Sequence, residues 1–133
     1  MEDRMRVLHI PTGGLFLDGI FSCIAAYAVA MNRENLELTI LATNNPAEEV
    51  IERVKSIDCS VAIIPYRKQN IRKYIIAFYQ YLKKNKFDIV HVHGSSAIMG
   101  IELMTAKLAG CKVRIAHSHN TTCENKRIDR MFR

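Results

Sequence analysis

Phe87-Asp88-Ile89-Val90-His91-Val92-His93-Gly94-Ser95-Ser96 is an apolar run that closes in a His-x-His pair and small polar residues. Lys112-Val113-Arg114-Ile115-Ala116-His117-Ser118-His119-Asn120-Thr121-Thr122 repeats the form. Short apolar runs bounded by glycine and small polar residues read as strands, and strands alternating with helices build parallel sheets. Side chains alternate along a strand, so His91 and His93 share one face while Val90 and Val92 share the other. His117 and His119 stand in the same relation. In open parallel sheets ligands bind at the carboxyl ends of strands, so four of the five histidines are expected at a polar-ligand site.

On the N-terminal side of these runs the same alternation of strand and helix recurs. Met5 to Ile10 reads as a buried strand, Pro11 to Gly14 as a tight loop and about Asp18 to Asn32 as a helix. Leu36 to Ala42 is a strand, Pro46 to Ile57 a helix with proline and two glutamates in its first turn, and Ser60 to Ile64 a strand. Asn70 is placed to cap a helix from Ile71 to Lys86, in which Tyr74, Ile75, Phe78, Tyr81 and Leu82 recur at core spacing. A strand over Asp88 to Val92, a helix from about Ala97 to Ala109 ended by Gly110, and a strand over Val113 to Ala116 complete the pattern. Five strands with intervening helices predict an α/β, three-layer Rossmann-like domain with its parallel sheet in the order 3-2-1-4-5.

With 133 residues the chain is the size of one domain; 49% apolar and 24% charged residues are those of an ordinary globular protein. The net charge of +6 is concentrated in Arg67, Lys68, Arg72 and Lys73 and again in Lys126, Arg127, Arg130 and Arg133. Such clusters suit a solvated face as well as an anionic partner. Cys23, Cys59, Cys111 and Cys123 form no C-x-x-C pair, which fits reduced cytoplasmic thiols rather than a zinc ribbon or disulfide framework. Leu15 to Met31 is apolar enough to raise a signal peptide or membrane helix. Asp18 and Gly19 interrupt it, however, and a helix covered on several sides by sheet and neighbours is expected instead.

Pro11-Thr12-Gly13-Gly14 follows the first strand directly, where adjacent glycines let backbone N–H groups approach an anionic ligand; a plain tight turn is the alternative. There is no G-x-G-x-x-G and no acidic residue after the second strand, where Ala42-Thr43-Asn44-Asn45 stands, so a dinucleotide cofactor is not expected. The four strand-end histidines and Cys123 could converge on a metal, but Asp and Glu read as scattered away from these loops, and no metal is expected. Ser95 or Cys123 beside a histidine would resemble a nucleophile and its base, yet neither sits in a nucleophile elbow.

Arg6-Val7-Leu8-His9-Ile10 leading to Gly13-Gly14, then Phe87 to Gly94, then Arg114-Ile115-Ala116-His117-Ser118-His119-Asn120 together resemble the N-terminal domain of GT-B-fold retaining glycosyltransferases of the group 1, or family 4, type. The resemblance spans essentially the whole chain. It implies that residues 1–133 are the acceptor-side half of an enzyme whose second domain binds a nucleotide-sugar. Transfer would then occur in the cleft between the halves, with no cofactor beyond that cosubstrate. It implies that Gly13 and Gly14 face the donor's phosphates and that His117 reaches the transferred sugar. His93, Ser95, His119 and Asn120 would line the acceptor side or orient His117. The acceptor would be a glycan or a lipid-linked hydroxyl in cell-surface polysaccharide or glycolipid synthesis, handled in the cytoplasm with peripheral contact at the inner membrane face and no nucleic acid. Leu15-Phe16-Leu17-Asp18 departs from the family's usual Glu-containing continuation, and the donor domain with its paired glutamates lies outside this sequence. A stand-alone flavodoxin-like binding or regulatory domain is the rival reading, and a small metal-dependent hydrolase a third.

Overall fold

Short apolar runs commit the chain to a sheet, and a computed structural model describing residues 4–94 and 97–118 shows how they pair. Among these residues five strands and four helices alternate: β1 (Met5–Pro11), α1 (Gly19–Ala30), β2 (Leu36–Ala42), α2 (Glu48–Ser56), β3 (Ser60–Ile63), α3 (Ile71–Lys84), β4 (Ile89–Gly94), α4 (Ile98–Leu108) and β5 (Val113–Ser118). All the strand pairs are parallel and their order is β3-β2-β1-β4-β5, as expected. The chain steps outward from β1 to β2 and β3, then crosses back to lay β4 against the other side of β1. The carboxyl ends of β1 and β4 therefore flank the point where the winding reverses, where open α/β sheets bind ligands.

Alternation along the central strands divides the core between the two faces of the sheet. Leu8, Ile10, Val90 and Val92 pack with Tyr74, Phe78 and Leu82 of α3 and with Met99 and Ala106 of α4. Val7, Leu38 and Ile40 pack with Phe21, Ile24 and Ala28 of α1 and Val50 and Val54 of α2. The helix starts follow capping chemistry: Asp18 accepts from the Phe21 N–H at 3.0 Å and Asn70 from the Lys73 N–H at 3.1 Å.

Several boundaries differ from the expected ones, each for a local reason. Pro46 precedes α2 rather than sitting in its first turn, because Ala47 is extended (ψ 152°) and only its carbonyl opens the helix, accepting from Val50 and Ile51. α3 ends at Lys84, where Asn85 turns its N–H and its side-chain amide onto the Tyr81 carbonyl. β4 and β5 run on through His93-Gly94 and His117-Ser118, since a parallel ladder needs only backbone groups and ignores the change to polar side chains. α1 buries only Phe21, Ile24 and Ala28. Tyr27, Val29 and Met31 lie exposed, so this helix is not covered on several sides. Among the described residues no helix is long and apolar enough to cross a membrane.

Candidate functional site at the sheet reversal

The loop after β1 is tied to the strand beside it. The Thr12 N–H donates to the His93 carbonyl at 2.9 Å, and the Gly14 N–H closes a turn onto the Pro11 carbonyl at 2.9 Å. Gly14 has φ +113°, a backbone conformation that favours glycine, and a Cβ there would also meet the exposed Phe16 ring at 2.7 Å. Gly13 has neither restriction and is exposed, which leaves its backbone open to a ligand. The Asn44 side chain, just after β2, grips the far end of the turn: its Oδ1 accepts from the Leu15 N–H at 2.8 Å and its Nδ2 donates to the Leu15 carbonyl at 3.3 Å. In the sequence Asn44 stands out only as a non-acidic residue; its amide is a clamp.

Beneath the loop lies a carboxyl group that the sequence pattern does not place there. Glu102 of α4 is fully buried, accepting from the Thr12 hydroxyl at 2.6 Å through Oε1 and from the Tyr74 hydroxyl through Oε2. Burial raises its pKa above the ordinary carboxylate value, against the two hydroxyl bonds and nearby Arg67, which pull the other way. Burial and the same carboxylate push the Tyr74 phenol up as well. Glu102 lies under the glycine loop and on the other face of β4 from the histidine loops, from which the sequence reading sets Asp and Glu apart. A signal for it is present in the sequence: Glu102 occupies a core position of α4 between the buried Met99 and Ala106.

On the opposite face of β4, the parallel register lines up histidines from three strands. His9 pairs with His91 across β1 and β4, and His93 with His117 across β4 and β5. His9 Nδ1 and His93 Nε2 are 2.8 Å apart, a hydrogen-bonded contact. The His91 and His93 rings stack at 4.0 Å, and His117 lies 5.5 Å from His91 and 5.3 Å from His93, centroid to centroid. Burial, reinforced by His91 and Arg33, lowers the His9 pKa to about 4, so His9 is neutral at ordinary pH.

Of the expected site residues, the fold thus brings Gly13, Gly14, His93 and His117 to one end of the sheet; Ser95, His119 and Asn120 lie outside the described residues. His93 is completely buried, whereas His117 and His91 are partly exposed. His9 and His91 belong to the cluster as much as the predicted pair, which sequence spacing alone does not reveal, because it depends on which strands become neighbours. Chemically, the loop offers backbone donors for an anion, and the imidazoles offer donors and acceptors suited to hydroxyl groups. His9, His91 and His93 also each present a ring nitrogen, all within 4.8 Å of one another.

Comparison with known proteins agrees with this architecture. The family model described as Glycosyltransferase Family 4 matches residues 17–133. Among solved structures the chain is similar to a mutant O-GlcNAc transferase of Thermobaculum terrenum, with a TM-score of 0.51 and 11% sequence identity. That similarity covers 67% of this chain and 16% of the other, and it bears on the fold. No curated protein matches the sequence. With the β3-β2-β1-β4-β5 sheet, the glycine turn at its reversal point and a family match across most of its length, this chain belongs to Glycosyltransferase Family 4, with the fold of a GT-B N-terminal domain.

Proposed function

We propose that this chain is the acceptor-side domain of a retaining glycosyltransferase that moves a sugar from a nucleotide-sugar donor to a hydroxyl of a glycan or lipid-linked acceptor. The observation that carries this reading is the meeting, in a family 4 chain, of the Gly13–Gly14 turn and the His117 edge at the reversal of the sheet. In the proposed mechanism the exposed backbone at Gly13 faces the donor's phosphates. The His117 imidazole hydrogen-bonds a hydroxyl of the transferred sugar as positive charge develops at its anomeric carbon. His93, buried between His9 and His117, acts as a positioning residue for that imidazole. Transfer needs no cofactor beyond the donor itself, and a second domain following residue 133 supplies the donor-binding wall of the cleft. Cell-surface polysaccharide or glycolipid synthesis, at the cytoplasmic face of a membrane, is the setting that suits such an acceptor.

The test is a pair of variants in the complete transferase. His117→Ala lowers kcat/KM by roughly 100-fold with folding intact, equivalent to about 2.7 kcal/mol of transition-state stabilisation. His9→Ala, at a buried position, acts mainly through stability and is read by thermal melting. Normal turnover by His117→Ala, together with selective inactivation of a stable His9→Ala protein, contradicts the assignment.

A further inference from the structure

The proposed transfer chemistry assigns no role to His9 and His91, yet with His93 they form a donor set of a recognisable kind. The His-x-His spacing puts two imidazoles on one face of β4, and the register of β1 against β4 sets His9 directly opposite His91. Both strands are paired on both sides, so the three Cα positions are fixed by ladders rather than by loops. One ring nitrogen from each residue lies within 4.8 Å of the other two, and the His9 Nδ1 to His93 Nε2 separation is 2.8 Å. Two imidazole nitrogens bound to one tetrahedral zinc ion at about 2.0–2.1 Å stand about 3.4 Å apart. That separation exceeds the 2.8 Å contact and lies inside the 4.8 Å within which all three atoms fall, so an ion requires the His9 and His93 nitrogens to move apart.

We propose that His9, His91 and His93 form a binding site for a single divalent transition ion of the zinc and cobalt class. Three neutral imidazoles without a thiol or carboxylate favour such borderline ions over magnesium or calcium, which take oxygen ligands. Three protein ligands leave a fourth position for water, and ionisation of that water to hydroxide offsets part of the ion's charge. Binding replaces the His9–His93 hydrogen bond. The proton between those two nitrogens moves to the far nitrogen of the ring that carries it, leaving both facing lone pairs for the ion. An ion reaches the site from the side of His91, which is partly exposed and lies beside Ile115, itself 38% exposed on the same face of β5. The absence of carboxylates argued against a metal at the level of sequence; a tris-imidazole set does not require them.

This inference does not rest on the transferase reading, although the two share His93, and its experiment does not measure transfer. Chelator-treated protein is titrated with cobalt(II) and followed by its visible ligand-field absorption, with zinc(II) as competitor and magnesium(II) as control. The expected result is saturable binding of one equivalent that zinc displaces and magnesium does not, accompanied by a rise in melting temperature with ion concentration. His91→Ala, at the most exposed of the three positions, keeps its fold and weakens binding by about 100-fold or more, since even an outer-shell partner is worth 10–100-fold in metal affinity. His9→Gln serves as the second variant, with its melting curve recorded alongside. No saturable spectrum, unchanged affinity in a folded His91→Ala protein, or an intense sulfur-to-cobalt charge-transfer band reporting capture by cysteine would each overturn the proposal.

Discussion

At the scale of single residues, Glu102 shows how burial turns an ordinary carboxyl group into a pH-dependent term in stability. Its native pKa is raised above the usual 4.5 while its unfolded value is not. The contribution is therefore complete below about pH 4.5, where both states are protonated, and is lost as pH rises through the native value. Each unit between the two values is worth about 1.4 kcal/mol. Glu102→Gln keeps hydrogen-bonding capacity for Thr12 and Tyr74 without ionising, so wild-type protein loses stability relative to this variant as pH rises from about 4.5. Urea unfolding of both proteins across that range measures the difference, and a difference that stays constant with pH refutes it. Glu102→Leu instead leaves two buried hydroxyls without their acceptor, at a cost of about 1–3 kcal/mol for each.

Residue-level legibility in the sequence follows the same physics. Alternation alone places His91 and His93 on one face of β4, because it is a property of a single strand, and their rings stack there. The contact of His9 with His93 is not legible in the sequence, because it depends on β1 lying against β4 in a particular register, which is a tertiary fact. Glu102 is legible in principle from the core spacing of Met99 and Ala106, but a carboxyl group by its charge alone points to the surface, and only the two hydroxyl partners make its burial tolerable.

At the scale of elements, the turn from Pro11 to Leu15 is held from three sides: by the His93 carbonyl, by the Asn44 amide and by its own Gly14 to Pro11 bond. The two glycines in it have different reasons to be there. Gly14→Ala places a side chain at φ +113° against Phe16 and costs about 1–3 kcal/mol. Gly13→Ala meets nothing within 4 Å and leaves stability nearly unchanged, so any effect it has on transfer reports on the approach of a ligand. Denaturant melts of both variants separate the roles, and equal destabilisation by the two would contradict this account. Element positions are readable where the determinant is local, as with the Asn70 cap of α3 and the glycine after α4. The ends of β4 and β5 are not, because the backbone ladder continues beneath polar side chains. The exposed side of α1 is not either, because apolar composition says how much can be buried and not what will cover it.

At the scale of the molecule, strand order achieves what no motif does alone. Placing β4 beside β1 brings a glycine turn, a buried carboxyl and four histidines within a few residues of one sheet edge, although they are scattered over the sequence from His9 to His117. In the proposed transferase that edge is half of an active site, and the other half belongs to a donor-binding domain. The central claim is tested most directly by measuring sugar transfer from a nucleotide-sugar donor by residues 1–133 and by a protein in which the donor-binding domain follows them. The account predicts no detectable transfer by residues 1–133 and turnover by the longer protein; robust transfer by residues 1–133 alone would contradict it.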